Sequence, residues 1–126
     1  MEKVTGIGGV FFHSDGAEEL ADWYERHLGV RRIGKVYEDG SWWQDEGPTA
    51  FGGESTTGFG PAKKPWMINF RVRNLDAMVA QLRAAGIEVE VDPEIYPNGR
   101  FALLHDPEDN PIQLWEAGGT DATRPA

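Results

Sequence analysis

The stretch from Ile68 to Trp115 admits few folds. Met67-Ile-Asn-Phe-Arg-Val reads as a short strand, and Asn74 then offers a cap oxygen to a segment in which Leu75, Met78, Val79 and Leu82 form one helical stripe before Gly86. Ile87, Val89 and Val91 alternate with Glu88, Glu90 and Asp92, which predicts a half-buried strand. Pro97-Asn-Gly99 turns the chain into a strand over 100–104, and Asp106-Pro-Glu-Asp-Asn110 turns it back into another over 112–116. Strand, helix and three strands follow in order.

The preceding half carries the same pattern. Ile7-Gly-Gly-Val-Phe-Phe-His reads as a strand with Gly9, Phe11 and His13 on one face. Asp15 and Glu18 have capping-box spacing, and Leu20, Trp23, Tyr24 and Leu28 recur at helical intervals up to Gly29. Ile33 and Val36 mark a strand over 31–37, Asp39-Gly40 a hairpin turn, Ser41-Trp-Trp-Gln the returning strand, and Thr49-Ala-Phe-Gly a fourth. The expectation is an α+β fold: two βαβββ modules, about 6–54 and 66–116, form a cupped, mostly antiparallel sheet with helices on its outer face. Residues 55–65 join the modules as a loop, 1–117 make a single domain, and 118–126 form a flexible tail.

Bulk properties narrow the partners. A chain of 126 residues suits one core. The net charge of −9 argues against nucleic acid and anionic membranes, both of which need clustered Lys and Arg. With no long apolar window and no signal-peptide pattern, a cytoplasmic location is expected. The absence of cysteine removes disulfides, thiolate metal sites and cysteine nucleophiles together. Five tryptophans point to an aromatic-lined cavity or to core filling. Trp42 and Trp43 send their rings to opposite faces of their strand, one toward the cup and the other toward a surface or a dimer contact. A homodimer is expected, because short sheets gain cover by pairing.

Trp23-Tyr24 with His27-Leu-Gly29, Asn69-Phe-Arg-Val with Ala85-Gly86, and Asp106-Pro-Glu-Asp-Asn-Pro-Ile-Gln-Leu-Trp-Glu116 together resemble the vicinal oxygen chelate superfamily. That group includes glyoxalase I, extradiol dioxygenases, and the fosfomycin- and bleomycin-resistance proteins. The resemblance covers the chain from about Gly6 to Glu116 and is nearest to the single-domain glyoxalase or bleomycin-resistance type. It implies four inward metal-ligand positions, which here fall on Gly9, Gly52, Met67 and Gln113. Glycine has no donor atom, a thioether suits soft ions, and an amide gives one neutral oxygen, so no metal and no cofactor is expected.

If Met67 faces the cup, two-residue alternation sends Asn69 and Arg71 there too, with Phe11 and His13 on the matching first strand and Trp115 beside Gln113. In this reading Arg71 holds an anionic or carbonyl group, Asn69 and Gln113 orient the ligand, and Phe11 and Trp115 stack on it. The plainer reading of Arg71 is an internal ion pair, for instance with Glu54, within ordinary packing. His13 is a candidate general base or a solvated strand-end histidine; His105 is a turn residue, and His27 favours its helix C-terminus.

Three motifs fail. Gly53-Glu-Ser-Thr-Thr-Gly58 lacks the lysine of a phosphate loop, Asp106 to Asn110 lacks the ligand spacing of a calcium loop, and no Ser, His and Asp are spaced as a triad. The expected function is metal-independent binding of a partly aromatic small molecule. The alternative is a glyoxalase-like or dioxygenase-like enzyme, using either a His13/Arg71 proton-transfer site or an unplaced metal.

Overall fold

The computed structural model describes residues 1–33, 38 and 40–125. Its centre is a four-stranded mixed sheet of β1 (Ile68–Arg71), β2 (Glu90–Val91), β3 (Gly99–His105) and β4 (Pro111–Ala117), in the order β1-β4-β3-β2. Strand β1 runs parallel to β4, while β4 with β3 and β3 with β2 are antiparallel. Two helices accompany the sheet, α1 (Ala17–Leu28) and α2 (Leu75–Ala84), so the chain is α+β as its patterning predicts.

Capping explains the helix ends. The Asn74 side chain accepts from the Ala77 N–H at 3.0 Å and starts α2. Gly29, at φ 71°, stops α1, its N–H reaching the Glu25 carbonyl while Val30 reaches Tyr24. The capping box expected at Asp15 is not formed. Gly16 is the N-cap without a side-chain bond, because Asp15 is bound by His13 and the Ser14 hydroxyl donates to Glu108 at 2.6 Å.

Leu75, Val79 and Leu82 of α2 close over Ala102, Leu104, Ile112 and Leu114, all at most 4% exposed, and Leu20 and Tyr24 of α1 join the same cluster. This core occupies one face of the sheet. A network beneath it ties α1 to the β3–β4 turn: buried Asp106 accepts from the Tyr24 hydroxyl at 2.7 Å, the Asn110 side chain at 2.8 Å, and the backbone N–H groups of Glu108 and Asn110. Burial first, and the bond to Asp106 second, raises the Tyr24 ionisation well above its ordinary value.

The second βαβββ unit is thus formed as read, although its second strand contracts from 87–92 to two residues. In the first unit, helix α1 forms, but the strands expected over 7–13, 41–44 and 49–52 make no ladder in the described residues. The strand with Val36 and Tyr37 and the Asp39 turn lie outside the described residues. A strand needs a partner as well as alternation, and Gly6, Gly8 and Gly9 leave little side chain to pack. Residues 45 and 46 instead meet arginines: Arg71 and Arg73 bind Asp45, and Arg124, beyond the second unit, binds Glu46. At the C-terminal end Gly119–Asp121 forms a 3-10 turn, with Gly118 N–H bonded to the Asn98 carbonyl.

Candidate functional site

Strand partners share a face of a sheet, so the register defines the side that the helices leave open. Asn69 stands beside Gln113 and Arg71 beside Trp115; Leu103 stands opposite Gln113 and Phe101 opposite Trp115. These six side chains make one surface. Met67, one residue before β1, belongs to the same side by alternation.

The centre of that surface is polar and neutral. Asn69 Nδ2 donates to Gln113 Oε1 at 2.8 Å, both residues being half-buried. Next to them, Phe101 stacks on Trp115 with rings 4° from parallel and centroids 6.2 Å apart, and Tyr96 meets Phe101 edge-on at 5.6 Å. The Tyr96 hydroxyl donates to Asp92 at 2.7 Å, which pushes Tyr96 up to about 12.

Trp115 is 3% exposed, and its Nε1 donates to the Asn98 carbonyl at 2.8 Å. Its ring is therefore the floor under Phe101, and Phe101 offers the accessible aromatic edge. Phe101 and Leu103 are absent from the residues named by sequence patterning. The signal existed: counting outward from the 106–110 turn puts 103 opposite 113 and 101 opposite 115.

Other predicted residues lie elsewhere. Phe11 is 82% exposed, and His13, also exposed, contacts Asp15 at 2.9 Å. Arg71 donates to the Asp45 carbonyl at 3.1 Å rather than to Glu54, and Gly47 lies against its guanidinium. Trp42 packs edge-on against Phe70, on the helix side of the sheet, and Trp43 is 91% exposed. Neither ring lines the open face.

Two adjoining clefts lie at the His105 end of the sheet. One, of about 350 Å³, is lined by Trp23, Pro61, Ile87, His105 and Pro107. The other, of about 710 Å³, passes Arg83 and Glu90 and reaches the open face at Leu103. His105 Nε2 is buried there without a hydrogen-bond partner among the described residues. Gly60, at φ +72°, sits over it, and an added Cβ would come 2.8 Å from Nε2. We expect Gly60→Ala to lower stability by about 1–2 kcal/mol through left-handed strain and this contact, read as an earlier thermal midpoint. An unchanged midpoint would show that the 58–64 loop does not rest on His105.

The model of the Glyoxalase/Bleomycin resistance protein/Dioxygenase superfamily matches residues 7–114. The chain belongs to this superfamily. Among solved structures, it is similar to TnmS3, an antibiotic binding protein from Streptomyces sp. CB03234, with 24% identity over 83% of this chain and 88% of that one and a TM-score of 0.53. It is also similar to a glyoxalase family protein from Bacillus anthracis, with 17% identity over 92% of this chain and 100% of that one and a TM-score of 0.54. Both likenesses concern the fold. No protein of curated function matches the chain significantly.

The resemblance implies metal ligands at Gly9, Gly52, Met67 and Gln113, where the side chains offer few donors. Gly9 and Gly52 carry no donor atom and are exposed, Met67 offers a thioether, and the Gln113 oxygen already accepts from Asn69. Among the described residues, no three His, Cys, Asp or Glu side chains converge. This donor set does not fit a hard or borderline divalent ion, which takes carboxylate, imidazole or thiolate ligands.

Proposed function

We propose that this chain is a small-molecule-binding protein that holds a partly aromatic ligand on the open face of the sheet without a metal, as a cytoplasmic homodimer. The observation that carries the reading is the Asn69–Gln113 amide pair beside the stacked Phe101 and Trp115, on the face that neither helix covers. A pocket for a small molecule needs this mixture: apolar rings for affinity and a few fixed polar groups for orientation. Asn69, Gln113 and Phe101 contact the ligand, Trp115 supports Phe101, Met67 borders the site, and Arg71 flanks it beside Asp45. Superfamily membership supports small-molecule binding in general, and the antibiotic-binding role of TnmS3 is in keeping with it at the level of fold.

The dimer rests on a separate observation. Ile7, Val10, Phe11, Trp43 and Phe51 are between 53% and 91% exposed, an unusual amount of apolar surface for so short a chain.

Calorimetric titration with a panel of flat aromatic compounds, together with elemental analysis of protein purified without chelator, tests the reading. Saturable binding by metal-free protein is the expected result. A stoichiometric ion whose removal abolishes binding overturns metal independence. Sedimentation equilibrium at micromolar concentration is expected to give twice the mass of the chain, and a monomer would remove the dimer.

A further inference from the structure

The open face also specifies the kind of molecule it takes, an inference that rests on that face being the ligand site. Asn69 and Gln113 are register partners on adjacent parallel strands, and one hydrogen bond of 2.8 Å joins their amides. An amide carries an acceptor oxygen and a two-hydrogen donor, so two amides sharing one bond leave one oxygen and one NH₂ unmatched. As they stand, these are Asn69 Oδ1 and Gln113 Nε2. Turning both amides over exchanges the roles but still leaves one donor and one acceptor. Neither free atom has a hydrogen-bond partner among the described residues. Both reach solvent, since His105 Nε2 is the one buried, unbonded side-chain N or O atom of the described residues.

The surroundings restrict the choice further. Leu103 stands opposite Gln113, and the Phe101–Trp115 stack lies one pair along the strands. The guanidinium of Arg71 is turned to the Asp45 carbonyl. A carboxylate or phosphate would set its charge against the free acceptor oxygen and leave that oxygen unbonded. A ligand with two acceptors or two donors satisfies half of the pair. An unmatched polar atom at a half-buried contact weakens binding more than the matched bond strengthens it.

We infer that the Asn69–Gln113 pair reads an uncharged planar ring bearing a hydrogen-bond donor and an acceptor on neighbouring atoms, as in a lactam, while Phe101 packs on the ring. The clamp is neutral and two-point, so it selects by pattern.

Three probes of nearly one shape test it by titration calorimetry with ligand-observed NMR: 2-quinolinone, with adjacent N–H and C=O; 1-methyl-2-quinolinone, which lacks the donor; and quinoline, an acceptor alone. The wild-type chain is expected to bind 2-quinolinone roughly tenfold more tightly than the other two. Gln113→Leu is expected to bring the three together. Equal binding by the wild-type chain overturns the donor–acceptor assignment and leaves the open face as the site. A preference that persists in Gln113→Leu shows that other residues supply it, which also overturns the assignment. Failure of all three to bind overturns the open-face reading itself, and the inference with it. The wild-type comparison decides even if the variant does not fold.

Discussion

Asp106→Ala is expected to lower the unfolding free energy by about 3–5 kcal/mol, the largest single effect away from the apolar core. Asp106 is 4% exposed and gathers four donors: the Tyr24 hydroxyl, the Asn110 side chain, and two backbone N–H groups of its own turn. Alanine leaves those donors facing each other without water, and each unsatisfied buried group costs about 1–3 kcal/mol before relaxation. Urea unfolding should show a lower midpoint with an unchanged slope. Tyr24→Phe, which removes one bond and leaves the turn intact, should cost about 1–2 kcal/mol. If the two variants lose equally little, the link between α1 and the β3–β4 turn is not what holds them together.

The same network sets an alkaline limit. Tyr24 ionisation is raised by burial, by its bond to Asp106 and by the nearby charges of Asp106 and Glu108. The unfolded chain releases this proton near pH 10, where the folded chain retains it. The unfolded state then binds fewer protons, so stability falls as pH rises above about 10 and is fully present below it. Tyr24→Phe should remove this part of the decline. Tyr96, raised to about 12, supplies a similar but separate part.

Trp115→Ala is the second large effect, about 3–5 kcal/mol of stability. The indole is 3% exposed, lies flat against Phe101, and donates to the Asn98 carbonyl in the 97–99 turn. Gly99 confirms how closely the ring is held, since an added Cβ there would come 2.9 Å from Trp115 Nε1 and 2.1 Å from the Glu116 carbonyl. Removing the indole opens a cavity, frees a carbonyl and leaves Phe101 without a floor. Phe101→Ala deletes a half-buried ring instead, so about 1–2 kcal/mol is expected. It should also weaken a bound aromatic ligand, about tenfold in affinity, because a stacking contact is lost. Thermal unfolding and titration of the two variants separate supporting from contacting residues. A Trp115→Ala variant as stable as the wild type would contradict the buried stack.

Much of the second unit was legible because its signals are local. Asn74 caps its own helix, Gly86 follows its end, and the Asp106 to Asn110 turn is made by side chains bonding their own backbone. Two-residue alternation around that turn also sets which side chains share a face with Gln113. The first unit was less legible because alternation records a tendency to pair, whereas pairing depends on a partner strand from elsewhere. Asp15 shows the same limit at closer range: it stands at capping-box spacing from Glu18, yet Gly16 takes the N-cap position, while His13 contacts Asp15 and Ser14 donates to Glu108.

By itself, the sequence determined the α+β class, the helices and the hairpin of the second unit, which follow from periodicity and turn chemistry within short windows, and its motifs carried the resemblance to the superfamily whose model matches residues 7–114. Only the tertiary structure decided that Trp115 lies beneath Phe101, that Arg71 turns to Asp45, and that Asn69 and Gln113 join across β1 and β4. Turn counting already sets 101 opposite 115, but the burial of Trp115, and the contacts of Arg71 with Asp45 and of Asn69 with Gln113, 26 and 44 positions apart, rest on tertiary packing and on the β1–β4 pairing, which no local window encodes.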